Sequence, residues 1–269
     1  MSANRYPDWA SLRFPAAGHH DGPDDGHDDG LVAFCADLSA PSVLAAYRRG
    51  IVPLPAPDEY LRTLNEVRYE DQVAAGSIAI VGDERDDPYS AAWWSPDPRP
   101  VIGPDGVHLG RNVRKRLRQD GLRTTADTAF RQVAEACRAS REPRWLTDAL
   151  LGSLTELHDQ GWAHSIEVWL GEELVGGAMG IGIGGVLSGD SLFARHPGAA
   201  AIAVADMFAR LRDAGGTVID AQWDSPFLRS LGAAPIPRGR YLALLDPSAE
   251  PIRLPTRSLP ASRLLPAPS

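Results

Sequence analysis

Residues 164–195 read HSIEVWLGEELVGGAMGIGIGGVLSGDSLFAR, a stretch in which the hydrophobic period is two. Apolar and polar side chains alternate along a β-strand because successive side chains point to opposite faces of the sheet. The pattern breaks near Gly171 and Gly184, where tight turns are expected. It therefore predicts three consecutive strands over 164–170, 173–180 and 185–194.

Downstream of these strands, the hydrophobic period changes from two to that of a helix. Residues 198–213 place Ile202, Met207 and Phe208 mostly on one side, and the Gly215-Gly216 pair ends the segment. Residues 218–222 return to a strand pattern. The order β-β-β-α-β predicts a mixed sheet that carries a helix on its face, an α/β or α+β fold.

Upstream, two helices are predicted before the strands and one near the start of the chain. Phe130, Val133, Ala134 and Cys137 have helical spacing, and Thr147 is a good cap for a leucine-rich helix that ends at Gly161. A short amphipathic helix is expected between Ser39 and Gly50. Residues 53–90 contain three early prolines and an acidic stretch, so we predict an insertion with loop character.

Length and composition limit the class of protein. The 269 residues exceed one typical domain, and 43% are hydrophobic, which is close to the globular average. No apolar run reaches the roughly 20 residues that a membrane span needs, so a soluble, cytoplasmic protein is expected. We predict a disordered acidic tail over 1–30, an N-terminal domain over 31–100, a catalytic domain over 101–245, and a loosely packed Pro/Arg-rich tail over 246–269.

No metal site is predicted. Cys35 and Cys137 are the two cysteines, and neither has the close Cys or His spacing of a zinc site. His19, His20 and His27 lie in the Gly- and Asp-rich tract 18–30, where metal binding is an alternative to simple disorder. Ordering such a tract costs conformational entropy, which favours disorder.

A basic segment stands out in a chain whose formal net charge is -8. Because neutralised phosphates release counterions, clustered cations are typical of nucleic-acid binding. A solvated helix face is the alternative. The candidate residues for binding phosphate are Arg111, Arg114, Lys115 and Arg118.

Polar residues interrupt the apolar strands at three places. Asp220 and Gln222 are two apart, so a strand would direct both side chains to one face, where they could hold an attacking amine. Asp190 would share a strand face with Ser188. Structural roles, such as satisfied buried polar groups, remain the alternative for all of these residues. Glu167 is interpreted as an ordinary exposed strand residue, with a second site carboxylate as the alternative.

One short motif suggests a different enzyme. Residues 195–200 fit the R-x-x-G-x-A loop with which N-acetyltransferases hold the pyrophosphate of acetyl-coenzyme A at a helix start. The motif follows a predicted strand and precedes a predicted helix. An acetyl-coenzyme A-dependent N-acetyltransferase is therefore the alternative enzyme class.

Several longer motifs together resemble the bacterial leucyl/phenylalanyl-tRNA-protein transferase family. They lie in order between Asp29 and about Tyr241 and are DGLVAFCADLS with AYRRGI, WWSPDPR at 93–99, HSIEVW at 164–169, ELVGG at 173–177, GDSLFAR at 189–195 and IDAQ at 219–222. WWSPDPR and HSIEVW are the longest and most specific of them.

The resemblance implies an enzyme that moves leucine or phenylalanine, less often methionine, from charged tRNA to proteins with N-terminal Arg or Lys. It implies N-end-rule degradation of those proteins, no coenzyme, and a small N-terminal domain beside an N-acetyltransferase-like (GNAT-like) domain. Asp220 and Gln222 match the pair assigned to the attacking amine, and Asp190 stands where the family has glutamate. A relative that binds tRNA or N-degrons without turnover is the non-catalytic alternative.

The resemblance also implies the substrate-binding residues. Trp145 matches an active-site tryptophan, and the basic segment matches the tRNA-binding face. Leu54 replaces a tryptophan that would hold the terminal adenosine, so we expect Tyr60 or Tyr89 to supply a ring instead. The residues that match the pocket for the transferred side chain are Ala178, Leu187, Leu192, Met207 and Leu211.

Overall fold

Two β-sheets organise the chain in the computed structural model, which describes residues 7–14, 30–82 and 87–266. In chain order, the strands of this part are β1 (Leu31–Phe34), β2 (Val52–Pro55), β3 (Ala79–Ile80), β4 (Ala91–Trp94), β5 (Arg99–Ile102), β6 (Arg123–Ala126), β7 (Ala163–Leu170), β8 (Glu173–Ile183), β9 (Val186–Ala194), β10 (Val218–Asp220), β11 (Ala234–Ile236) and β12 (Leu259–Pro260). The helices are α1 (Ala40–Tyr47), α2 (Glu59–Ala74), α3 (Arg111–Gln119), α4 (Phe130–Ala139), α5 (Asp148–Asp159), α6 (Ala199–Asp213), α7 (Pro226–Ser230) and α8 (Arg238–Leu242).

The larger sheet contains the strands that the alternating pattern predicts. Its order is β11-β5-β10-β9-β8-β7-β6-β12, and β7, β8 and β9 pair antiparallel in succession. Strands β9 and β10 pair in parallel. A parallel connection needs a crossover, and α6 supplies it. The predicted order β-β-β-α-β and the mixed α/β class are confirmed.

The smaller sheet has the order β2-β4-β1-β3 and shares a core with the larger one. Phe34 and Trp93 from the small sheet belong to the same buried cluster as Phe130 of α4 and Leu154 of α5. On the other side of the large sheet, α6 packs into a second cluster. The two sheets are therefore joined through a continuous apolar core.

The helices predicted before the strands are confirmed. The Thr147 side chain accepts a hydrogen bond from the Leu150 backbone N–H and caps α5. Phe130, Val133 and Cys137 are all buried on α4. These helices are local features in which capping and hydrophobic spacing agree with the tertiary packing.

The loop prediction for residues 53–90 is wrong for most of that stretch. Pro53 and Pro55 lie in β2, an edge strand, where proline is tolerated because its missing N–H faces away from the sheet. A helix of 16 residues, α2, then begins at Glu59, and its N-cap Asp58 accepts a hydrogen bond from the Leu61 N–H. Residues 83–86 of the predicted acidic stretch lie outside the described residues.

The tail predictions need correction at both ends. At the start, Trp9 is 2% exposed, its ring centroid is 4.5 Å from that of Trp93, and its indole N–H donates to Ser42. This packing anchors residues 7–14. The rest of the predicted acidic tail up to residue 29, including its histidines, lies outside the described residues.

At the other end, the C-terminal segment is packed and not a loose tail. Buried Arg210 of α6 lies 2.5 Å from Asp206 and donates to the carbonyl of Arg257 at 3.0 Å. Arg263 also pairs with Asp206, at 2.5 Å. Because these charges satisfy one another away from water, residues 254–264 are held against the large sheet.

The boundary between the two sheets lies slightly before the predicted division at residue 100. Trp93 and Trp94 belong to β4 of the small sheet, whereas Arg99 begins β5 of the large one. The WWSPDPR motif therefore spans the junction. No described helix is long and apolar enough to cross a membrane.

Candidate active site

Asp220 ends β10 at the centre of a buried polar cluster. Arg99 donates to both carboxylate oxygens, from Nε at 2.8 Å and from Nη2 at 2.6 Å. Tyr241 donates to Oδ2 at 2.9 Å and Ser188 at 3.1 Å, while the Gln222 backbone N–H donates to Oδ1 at 2.8 Å. Both carboxylate oxygens of Asp220 therefore already accept hydrogen bonds from the protein, and Asp220 anchors the residues that donate them.

The cluster is fully shielded from solvent. Burial acts to lower the pKa of Arg99, but the nearby Asp220 charge outweighs it and raises that pKa. Burial and the Asp220 charge raise the pKa of Tyr241 well above its usual range. Arg99 is thus a permanent cation and Tyr241 a permanent hydrogen-bond donor to the same carboxylate.

Gln222 lies beyond the strand, and so the predicted shared strand face is wrong. Strand β10 ends at Asp220, and Gln222 has a left-handed φ of 59°. A non-glycine residue adopts that conformation only when its surroundings hold it, and the bond from its N–H to Asp220 does so. Its side-chain Nε2 consequently turns to Ser188 Oγ at 2.8 Å and to Asp190 Oδ1 at 2.5 Å.

Asp190 occupies a β-bulge, where the strict alternation used for its prediction breaks down. Ser191 pairs with Met179 and Gly189 with Gly180, which leaves Asp190 as the extra residue. Consequently the consecutive residues 189–192 all line one cavity. The Oδ2 atom of Asp190 is buried and has no hydrogen-bond partner among the described residues.

The surroundings of Asp190 favour its neutral form. Burial raises the pKa of its carboxyl to about 7, with a further rise from the Asp220 charge, against hydrogen bonds from Tyr47 and Gln222 that lower it. Tyr47 of α1 is itself buried, and both burial and the Asp190 charge raise its pKa well above the usual range. Asp190 is therefore a carboxyl group that changes protonation near neutral pH.

A cavity of about 510 Å³ opens beside these residues. Its polar end holds Tyr47, Asp190 and Gln222, and the remainder of the wall is largely apolar. The apolar wall is formed by Leu54, Trp145, Ala178, Leu192, Val204, Met207, Ile219, Ala221, Trp223 and Leu228. The cavity is large enough for an amino-acid side chain joined to a nucleoside.

Most of the predicted pocket residues line this cavity, but Leu187 and Leu211 do not. Both are fully buried in the core around α6. Leu211 lies one helical turn beyond Met207 and packs against Gly216, past the end of the cavity. Val204 and Ile219 occupy the wall instead, and only the tertiary packing reveals them.

The sequence comparisons with known proteins agree on one family. The profile of a family described as leucyl/phenylalanyl-tRNA protein transferase matches residues 101–246. A protein of that name from Chromohalobacter salexigens is 38% identical over 81% of this chain and 75% of its own. Another from Thiobacillus denitrificans is 36% identical over 84% and 86%. The chain belongs to this family.

Membership of the leucyl/phenylalanyl-tRNA-protein transferase family makes the chain an aminoacyltransferase that uses aminoacyl-tRNA and a protein acceptor. This result favours aminoacyl transfer over the acetyl-coenzyme A alternative. A solved GCN5-related N-acetyltransferase from Kribbella flavida is 15% identical, with a TM-score of 0.34 over 52% of this chain and 54% of that one. The family assignment rests on the sequence relatives.

The basic segment of this transferase forms the exposed face of α3. Arg111, Arg114, Lys115 and Arg118 are all exposed, and none has an ion pair with another described residue. None of them lines the cavity. The loop before α3 contacts the end of α7 through a hydrogen bond from His108 N–H to the Leu231 carbonyl, and Leu228 of α7 lines the cavity.

The acetyltransferase-like motif faces α3 in this transferase. A Cβ added to Gly198 would lie 3.5 Å from the Val113 side chain. The Arg195 guanidinium lies 5.3 Å from the Phe193 ring and donates to the Leu174 carbonyl at 3.4 Å. The loop is therefore packed against protein and forms no part of the cavity wall.

Glu167 is not the exposed strand residue that we predicted. It is fully buried, and its carboxylate accepts hydrogen bonds from Thr125, Thr128 and Ser165. These donors satisfy the charge inside the sheet. The described residues contain no group of three or more His, Cys, Asp or Glu side chains arranged to hold a metal ion.

The two tyrosines expected to replace the missing ring at Leu54 lie elsewhere. Tyr60 is 74% exposed on α2, and the Tyr89 ring packs 4.9 Å from Phe34. Neither lines the cavity. The tryptophans on the cavity wall are Trp145 and Trp223, and no sequence pattern pointed to Trp223.

Proposed function

We propose that this transferase moves leucine or phenylalanine, and less often methionine, from charged tRNA to the N-terminal arginine or lysine of acceptor proteins. The cavity carries the proposal: it combines an apolar wall with a titratable carboxyl group and a carboxamide at one end. The transferred side chain fits the apolar wall, near Ala178, Leu192 and Met207. The labelled acceptors would enter N-end-rule degradation in the cytoplasm.

Asp190 is the group best placed to take the proton from the attacking amine. The acceptor's α-amino nitrogen must lose a proton as it bonds to the carbonyl carbon of the aminoacyl ester. The unpartnered Oδ2 of Asp190 lies on the cavity wall, and a pKa of about 7 makes it a competent base at neutral pH. The ester C–O bond then breaks, and the ribose oxygen leaves with the proton that Asp190 received from the amine.

Gln222 and Asp220 have separate roles in this scheme. The Gln222 carboxamide contacts Asp190 and orients it and the amine. Asp220 is a positioning residue, because its oxygens are engaged by Arg99 and by the Gln222 backbone. The resemblance implied that both residues act on the amine, whereas these contacts favour an indirect role for Asp220.

The aromatic rings on the cavity wall suit the terminal nucleoside of the tRNA. Trp145 is half-buried and lies in the turn before α5, and Trp223 is half-buried directly after Gln222. Both rings are at the wall that also contains Leu54. Stacking of an adenine on a ring contributes about 1–3 kcal/mol, so Trp223 offsets the ring absent at Leu54.

The test is a single-turnover transfer assay with leucyl-, phenylalanyl- and methionyl-tRNA. We expect labelled product with a peptide that begins with arginine or lysine, faster for leucine and phenylalanine than for methionine. An acetylated amino terminus should block the reaction, because the nitrogen can no longer attack. Absence of product from all three donors, or equal transfer to a peptide that begins with alanine, would refute the proposal.

The exposed face of α3 is proposed to bind the tRNA backbone. Replacing Arg111, Lys115 and Arg118 with alanine should raise KM for leucyl-tRNA about tenfold while kcat stays unchanged. Each lost phosphate contact should also reduce the slope of log KM against log salt by about 0.9. Arg131→Ala, which removes an exposed arginine from α4, is the matched control. Equal KM and salt slopes in both variants would contradict this assignment.

A further inference from the structure

We propose that Arg141 binds the phosphate on the 5′ side of the terminal nucleoside of the donor tRNA. This inference rests on the proposed function, because it needs an aminoacyl ester in the cavity. Arg141 lies in the turn between α4 and α5, is exposed, and lines the cavity. Among the described residues it is the only cationic side chain on the cavity wall.

Three arginines lie in the last turn of α4 and the turn that follows it, and two of them have ion-pair partners. Arg138 lies 2.5 Å from Asp148, and Arg144 lies 3.1 Å from Glu142. Both border a separate depression on the far side of the turn. Arg141 has no hydrogen bond or ion pair with another described residue, so the unpaired charge is the one that faces the cavity.

The position of Arg141 suits the length of a nucleotide. Cys137 of α4 contacts Ser191, the residue next to Asp190. Arg141 follows the end of α4 and lines the same cavity as Asp190 and Ser191. A single ribose separates the ester from the 5′ phosphate, so a cation on the wall that holds Asp190 is placed for that phosphate.

The charges on the cavity wall also distinguish the protein acceptor from the tRNA donor. The acceptor presents a cationic amino terminus and a cationic side chain, which Arg141 repels. The donor presents a phosphodiester, which a guanidinium binds through paired hydrogen bonds. Arg141 therefore favours the donor, whereas the carboxyl group of Asp190 on the same wall favours the acceptor.

Two non-reactive inhibitors test this subsite. Leucine joined by an amide to the 3′-amino group of 3′-amino-3′-deoxyadenosine is compared with the same molecule carrying a 5′ phosphate. Both are measured as inhibitors of transfer from leucyl-tRNA at constant ionic strength. We expect the phosphate to improve inhibition of the wild-type enzyme about tenfold, as for a charge-assisted hydrogen bond.

Arg141→Ala should abolish that tenfold preference and leave inhibition by the phosphate-free molecule unchanged. Arg144→Ala, which removes a neighbouring but paired arginine, should retain the preference. The inference is overturned if the wild type shows no preference, if Arg141→Ala retains it, or if Arg141→Ala weakens both inhibitors equally. Failure of the wild type to transfer leucine from tRNA at all would instead refute the proposed function.

Discussion

Asp190→Asn should lower the single-turnover rate of leucine transfer by about 10²–10⁴-fold, the usual contribution of a general base. Asparagine keeps the size of the side chain and the contact with Gln222 but cannot accept the proton. In the wild type, the rate should rise with pH through about 7, because only the deprotonated carboxylate is a base and its pKa is raised to about 7. The asparagine variant should lose this step.

Asp190→Glu tests whether a carboxylate is sufficient, and it should retain most of the activity and the pH step. Asp213→Asn removes an exposed carboxylate at the end of α6 and should change neither. A wild-type pH profile in Asp190→Asn would exclude Asp190 as the base. The pH must be varied with an acceptor peptide whose own amine titration has been measured separately.

Asp190→Asn, which should lower activity, should increase the stability of the folded protein. The folded-state pKa of Asp190 is about 7, above its ordinary value of 3.8. Between these pH values the folded protein keeps a proton that the unfolded chain has lost, so this group lowers stability as pH rises. Asp190→Asn should therefore raise Tm relative to the wild type at pH 8, with a smaller difference at pH 5.

Asp220→Ala should lower the free energy of unfolding by roughly 3–5 kcal/mol, because it leaves the buried Arg99 guanidinium without a counter-charge. The pair is fully shielded, with two hydrogen bonds of 2.8 and 2.6 Å. Tyr241 and Ser188 would also lose an acceptor. Urea unfolding followed by circular dichroism measures the change.

The double variant Arg99→Met with Asp220→Ala separates pairing from packing. It should be less destabilised than the sum of the single variants, since no charge remains buried alone. Asp213→Ala, at an exposed position, should stay within about 0.5 kcal/mol of the wild type. A loss below 1 kcal/mol in Asp220→Ala would show that the ion pair does not hold the cluster together.

The strands and helices of the catalytic half were predictable because their signals are local. Alternation over residues 164–195 and the Thr147 cap act within a few residues of one another, and tertiary packing agrees with them. Prolines at 53 and 55 misled the prediction of β2, since their effect depends on whether the strand lies at a sheet edge. The C-terminal segment was misread because its anchor, Arg210, lies on another element.

The residues of the candidate site were also predictable from sequence, whereas their roles were not. Sequence motifs selected Asp190, Asp220 and Gln222, and the structure brings all three into one cluster. Their roles depend on partners that are distant in the chain: Arg99 is 121 residues from Asp220, and Tyr47 comes from α1. No local pattern encodes such pairings, nor the bulge that turns Asp190 into the cavity.

Hydrophobic periodicity predicted the mixed α/β class, and the resemblance of several motifs indicated the family and supported the three polar residues of the site. The tertiary structure alone decided that Asp220 is an anchor, that Asp190 is free to titrate near neutral pH, and that Arg141 faces the cavity unpaired. The reason is physical: a side chain's protonation and availability depend on burial and on the charges around it, and folding brings those charges from across the whole chain.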